Sequence, residues 1–250
     1  MKIAHIINPV KVKPNNPSYL HIAQPITFQT MLNAKKVAET EVQIDLYTTQ
    51  YPEDREIIPE GFIITSDLEK SVQDHFTFSN KSKKLPLIKD ILQKLYDNSD
   101  ADYFIYTNVD IGLKPNFYIF IKNQLEKGVD ALCIHRGDLP KKKPNCGILD
   151  VTKLDKIYNM YGQHTFGHDC FVFKRDIVPK LELRKIFIGY PPIGTVLRNQ
   201  IKKYSKMFRE IDTKHDLTFH IGFDKQWLKK GYKNEFRCIN HREAKNLIYL

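Results

Sequence analysis

Asp102-Tyr103-Phe104-Ile105-Tyr106-Thr107-Asn108-Val109-Asp110-Ile111-Gly112-Leu113-Lys114-Pro115 is the stretch that decides the fold. Its run 102–106 is short and nearly all apolar, as expected of a central strand covered on both faces. Polar residues follow, the chain turns through Gly112, and a helix is expected over 115–127, stopped by Gly128. Working outward, the same alternation repeats. Strands are expected at 2–7, 42–47, 61–65 and 130–135, with helices at 27–39, where Thr27 is the N-cap, and at 85–96, where Pro86 sits in the first turn. Strands alternating with helices predict an α/β domain built on a mostly parallel central sheet flanked by helices. Beyond the polar, basic loop expected at 136–144 the segments shorten: a helix at 152–161, a strand at 170–174, a helix at 193–208, and a tail rich in His and aromatics.

The chain has 250 residues, 42% hydrophobic, which suits one domain and excludes disordered or collagen-like classes. No apolar run approaches the roughly 20 residues of a membrane span, so a soluble chain is expected. Residues 1–7 are too short and too soon followed by Asn8-Pro9 for a signal peptide and read as the first strand. Cys133, Cys146, Cys170 and Cys238 are widely spaced with no Cys-x-x-Cys pair, which fits reduced thiols in a cytoplasmic protein. The net charge of +10 favours an anionic partner. The basic runs at 81–84, 141–143 and 202–203 are scattered and Lys-dominated, so nucleic acid is not the partner expected.

In open α/β sheets ligands gather at the carboxyl ends of the strands. There Asn108 and Asp110, two apart, can turn oxygen ligands toward one divalent cation, or simply cap the turn that follows. A cation held there would stabilise the charge of a departing diphosphate. A second constellation is His220-Ile221-Gly222-Phe223-Asp224-Lys225-Gln226-Trp227. Imidazole can ligate Mn²⁺, glycine admits a phosphate close to the backbone, and lysine neutralises it. Gly167-His168-Asp169 places polar groups ahead of the apolar strand at 170–174, where Asp169 is also an ordinary turn residue.

Asn108-Val109-Asp110 at a strand end, with Ile111 and Pro115-Asn116-Phe117-Tyr118 behind it, resembles the aspartate-x-aspartate region of GT-A nucleotide-sugar glycosyltransferases, with Asn in the first place. His220 to Trp227 is similar to the His-x-x-Gly-x-x-Lys-Pro-Trp element of the retaining family of glycogenin and bacterial lipopolysaccharide galactosyltransferases, with one residue fewer between His220 and Gly222 and Gln226 in place of proline. The resemblance implies a GT-A-like single domain over 1–250, with a nucleotide-sugar-binding half at 1–135 and an acceptor-shaping half at 136–250. It implies Mn²⁺ or Mg²⁺ held by Asp110, Asn108 and His220, with Asn108 also at the donor ribose and Gly222 and Lys225 on the diphosphate. Lys89 and Asp90 would bind nucleoside and donor sugar, or form a solvated helix face. Asn8 would lie near the base, or make a plain turn. Asp169, with His168 beside it, would be the catalytic pair: Asp169 acts as general base if the reaction inverts, or holds sugar hydroxyls if it retains.

The activity so implied is transfer of a hexose from a nucleotide-diphosphate sugar donor to a carbohydrate or glycolipid acceptor in surface polysaccharide synthesis, with retention favoured. The protein would be cytoplasmic, with peripheral contact at the anionic inner face of a membrane. Two other readings stay open. A sugar-nucleotide pyrophosphorylase uses a similar sheet but needs a Gly-rich basic loop where this chain has Asn8-Pro9-Val10-Lys11. A non-catalytic module for nucleic acid or anionic lipid would rest on charge alone and ignore divalent metal.

Overall fold

Strand β1 (Lys2–Ile7) carries Ile3, Ala4, Ile6 and Ile7 with no exposed surface, and it forms the middle of a parallel block. It pairs in parallel with β2 (Gln43–Thr48) on one side and with β4 (Tyr103–Thr107) on the other, while β3 (Ile63–Ile64) adds a two-residue parallel edge to β2. The computed structural model describes residues 1–12, 18–79, 83–139, 149–160, 163–222 and 235–248. Beyond β4 the sheet becomes mixed: β7 (Gln163–Lys174) runs antiparallel between β4 and β6 (Ala131–Asp138). On its far side β6 takes two parallel partners, β8 (Phe208–Ile211) along Ala131 to Ile134 and β9 (Thr218–His220) along Gly137 and Asp138; β5 (Ile111–Leu113) closes the edge antiparallel to β9. The order is β3-β2-β1-β4-β7-β6-β9-β5, with β8 also on β6. Parallel pairing predominates, as the alternation of elements predicts.

Two apolar layers cover the sheet. Helices α1 (Leu20–Ala38) and α3 (Phe117–Glu126) bury Phe28, Met31, Ala34, Phe117, Ile121 and Leu125 against one face. On the other face α2 (Ile88–Asn98) and α5 (Ile193–Tyr204) bury Ile88, Ile91, Leu92, Leu95, Val196, Leu197 and Ile201. Each fully buried Leu or Ile contributes roughly 1.5–3 kcal/mol, so these two faces dominate the stability. Helix α4 (Leu154–Tyr158) and helix α6 (Glu235–Glu243) complete the α-helices among the described residues. Asn240 docks α6: its Nδ2 donates to the carbonyls of Phe187 and Tyr190 and its Oδ1 accepts from the amide of Phe187.

Five boundaries depart from the sequence reading, one of them at α5, which ends at Tyr204 short of the expected 208 because Phe208 opens β8 alongside β6. Helix α1 starts at Leu20 and runs through Pro25, leaving Thr27 buried in mid-helix instead of at an N-cap, because Ala23 and Ile26 extend the apolar face. Pro86 precedes α2, whose N-cap is Leu87. β6 continues to Asp138, so Arg136, Gly137 and Asp138 belong to a strand and not to a loop. β7 begins at Gln163 instead of 170, which places Gly167, His168 and Asp169 inside a strand instead of a turn.

Candidate functional site

Parallel register brings several chain segments to one edge of the sheet. Ile7 pairs with Thr48 and Ile6 with Tyr106, so Asn8, Thr49 and Asn108 leave the carboxyl ends of neighbouring strands side by side. Asp110 ends the turn that leads into β5, and the β5–β9 pairing sets Ile111 against His220. The amide of Ile221 donates to the carbonyl of Asp110 at 2.9 Å, fixing the two backbones together. As a result His220 Nε2 donates to Asp110 Oδ2 at 3.1 Å, although the residues are 110 apart in sequence.

Three further side chains extend this pair into a network. His220 Nδ1 lies 3.2 Å from Asp138 Oδ1, and Asp138 in turn lies 3.3 Å from Arg136 Nε. Arg136 Nη1 donates to Asp169 Oδ2, and Asn108 Nδ2 donates to Asp169 Oδ1 at 2.7 Å. Tyr106 Oη donates to Asn108 Oδ1 at 3.1 Å and so orients its carboxamide. A β-bulge makes the approach of Asp169 possible: register slips between the pairs Ile134–Cys170 and His135–His168, leaving Asp169 as the extra residue of β7. Gly167 lets the Arg136 guanidinium lie on the strand, since a Cβ there would sit 2.6 Å from Nε.

The charges are arranged in opposition. Burial would raise the Asp110 carboxyl, but His220 and Arg136 overcome it and hold the group below its ordinary range. Burial would lower His220, yet Asp110 and Asp138 raise it to about 9. Burial pushes Asp169 above its ordinary value against the pull of Arg136.

Asp110 and His220 fit a divalent cation. Adjacent ligands of an octahedral ion with bonds of about 2.1 Å are separated by about 3 Å, close to the observed gap. Gly222 supplies room beside it: a Cβ at this position would meet His220 Nε2 at 2.9 Å and Asp110 Oδ2 at 3.0 Å. Asp138, 3.2 Å behind the imidazole, stands where an outer carboxylate can fix the orientation of a metal-binding ring.

Of the sequence candidates, Asn108, Asp110, Asp169, His220 and Gly222 come together here. His168 lies apart from them, ring to ring with His135 at a centroid distance of 5.1 Å. Asn8 is buried, and its Nδ2 donates to the carbonyl of Thr49 at 2.6 Å. Lys89 is exposed and Asp90 half-buried in the first turn of α2, at the same end of the sheet; burial raises the Asp90 carboxyl, opposed by His75 and Lys89. Lys225 lies outside the described residues. Arg136, Asp138 and Tyr106 escaped the sequence reading. The available signal was that Arg136 and Asp138 are two apart, which on a strand puts them on one face.

No protein-family model matches the chain, and no curated protein matches it in sequence. Solved structures do match its shape. The Staphylococcus aureus TarS fragment 1-349 superposes with a TM-score of 0.55 at 9% identity, covering 88% of this chain, which spans 60% of that fragment's length. Mycobacterium tuberculosis glucosyl-3-phosphoglycerate synthase, in a complex with Mn²⁺, uridine diphosphate and phosphoglyceric acid, superposes with a TM-score of 0.54 at 9% identity over 100% of this chain and 79% of its own. Another structure of that synthase gives 0.50 at 9% identity, covering 99% and 79%. The shared architecture is a GT-A-like α/β fold.

Proposed function

We propose that the protein is a metal-dependent GT-A glycosyltransferase that moves a hexose from a nucleotide-diphosphate sugar to a carbohydrate or glycolipid acceptor. The observation that carries this reading is the Asp110–His220 pair, 3.1 Å apart at the carboxyl edge of the sheet, with Gly222 leaving space over both. Asp110 and His220 would hold Mn²⁺ or Mg²⁺, with Asn108 beside them at the donor. When bound, such an ion neutralises charge on a departing diphosphate. The occurrence of Mn²⁺ and uridine diphosphate in a structure of the same fold supports the assignment.

The protein's own residues do the rest. Gly222 and Lys225 take the diphosphate, while Asn8, Lys89 and Asp90 line the nucleoside and sugar side. Residues 1–135 thus supply the nucleoside and sugar side of the donor site, while 136–250 add His220, Gly222 and Lys225 to it and shape the acceptor side. Both oxygens of Asp169 already accept hydrogen bonds, from Asn108 and Arg136. That suits a fixed carboxylate orienting sugar hydroxyls better than a base that removes a proton, and it supports the retaining outcome. No helix among the described residues is long and apolar enough to cross a membrane. The net charge of +10 supports a working position at the anionic cytoplasmic face of a membrane, where surface polysaccharide is built.

A thermal-shift titration with UDP, GDP, CDP and dTDP, each with and without Mn²⁺, tests the reading. A rise in Tm that needs both nucleotide and metal, and is missing from Asp110→Asn, is the expected result. A melting point unmoved by every nucleotide refutes it.

A further inference from the structure

A second group of metal-ligating side chains lies outside the network just described. His135 and His168 face each other as register partners on β6 and β7, and Glu210 comes from β8, where it is the partner of Cys133, two residues before His135. Three adjacent hydrogen-bonded strands therefore each contribute one side chain. One ligand atom from each lies within 4.8 Å of the other two. His135 Nε2 is 3.2 Å from Glu210 Oε2, close to the edge of about 3.3 Å expected between ligands of a tetrahedral ion with bonds near 2.0 Å. Arg198 of α5 donates from Nε to the other oxygen, Oε1, at 2.9 Å, which orients the carboxylate and keeps Oε2 toward the imidazoles. The His135 side chain is 11% exposed and that of Glu210 35%, so the cluster is sheltered but open to an entering ion. Gly194 allows α5 to pack directly on this point, since a Cβ there would sit 2.4 Å from the His168 carbonyl.

We propose that His135, His168 and Glu210 form a second divalent-metal site, of the zinc class, distinct from the Asp110–His220 site and independent of nucleotide. Two imidazoles and one carboxylate select zinc, cobalt or nickel over Mg²⁺, which demands oxygen ligands and an octahedral shell. With three protein ligands the fourth position is left to water. Because His168 adjoins the bulged residue Asp169, an ion here ties that bulge to β8 and fixes the backbone that aims Asp169 at Asn108.

The test is cobalt titration of the chelator-stripped, untagged full chain without nucleotide, read by visible absorption. The expected result is a saturable band at one equivalent that survives Asp110→Asn and whose affinity drops at least tenfold in both His135→Gln and His168→Gln. No band in the wild-type chain overturns the proposal, without any variant having to fold. A band that survives His168→Gln, or one that disappears in Asp110→Asn, overturns it equally, because the ion then sits elsewhere. The donor-site reading is read separately, by nucleotide shifts in Mn²⁺.

Discussion

Asp138 and Asp110 flank one imidazole: Oδ1 of Asp138 lies 3.2 Å from Nδ1 of His220, and Oδ2 of Asp110 lies 3.1 Å from Nε2. The ring is therefore aimed by a residue that itself stays behind it. Replacing Asp138 by Asn preserves shape and removes the charge that orients the ring. Asp138→Asn is expected to weaken Mn²⁺-dependent nucleotide binding about 10- to 100-fold by calorimetry, with nucleotide affinity in chelator unchanged. Equal losses with and without metal would mark Asp138 as merely structural.

Gly222 gives a sharper test of space. Gly222→Ala puts a methyl group 2.9 Å from His220 Nε2 and 3.0 Å from Asp110 Oδ2, where an ion and its diphosphate need room. The metal-dependent rise in Tm should disappear while the nucleotide-free Tm moves by only a few degrees. Retention of the rise would show that the ion sits elsewhere.

Arg136 is the cation between Asp138 and Asp169, with its side chain 21% exposed. Arg136→Ala takes the shared cation from two sheltered carboxylates, leaving Asp138 with His220 and Asp169 with Asn108. Loss of one member of a buried pair costs 3–5 kcal/mol, and partial exposure here reduces that to about 2 kcal/mol. Urea unfolding should show the loss at pH 7, with part of it recovered on acidification, because burial already raises Asp169 and favours its protonation.

His5 sets a pH dependence away from the site. It is fully buried, with Nδ1 2.8 Å from Tyr118 Oη and Nε2 2.9 Å from Thr107 Oγ1, and burial lowers it from 6.5 to about 3. The folded protein keeps the ring neutral while the unfolded chain protonates it below 6.5. Its contribution is thus complete above pH 6.5 and is lost as the pH falls toward 3, by at most about 1.4 kcal/mol per unit. His5→Gln should flatten the slope of unfolding free energy between pH 4 and 6; an unchanged slope would assign that slope to other groups.

The central strand was legible because a short apolar run ending in polar residues reads as a covered strand in an α/β sheet, whereas Asp110 read either as a ligand or as a cap of the turn. The partners Arg136 and Asp138 were not, since β6 continues past its apolar run into residues whose strand conformation depends on pairing with β7 and β9. β5 was hidden for a similar reason: Ile111, Gly112 and Leu113 are extended only because β9 lies beside them. Asp169 was visible as a residue type, but its position follows from a bulge that only the register between β6 and β7 reveals. In each case the missing information was tertiary.

The pairing of β5 with β9 also fixes when the site comes into being. Leu113 waits for Thr218, 105 residues further along, before its edge of the sheet is covered. At a synthesis rate of roughly 5–20 residues per second that interval is about 5–20 s, during which Asp110 is already made but His220 does not yet exist. β1 and β2 pair across the single α1 crossover, whereas β1 with β4 and β5 with β9 close far longer loops and so carry larger closure entropies. The Asp110–His220 pair therefore arrives only with β9, and a nascent chain stalled before residue 220 lacks it.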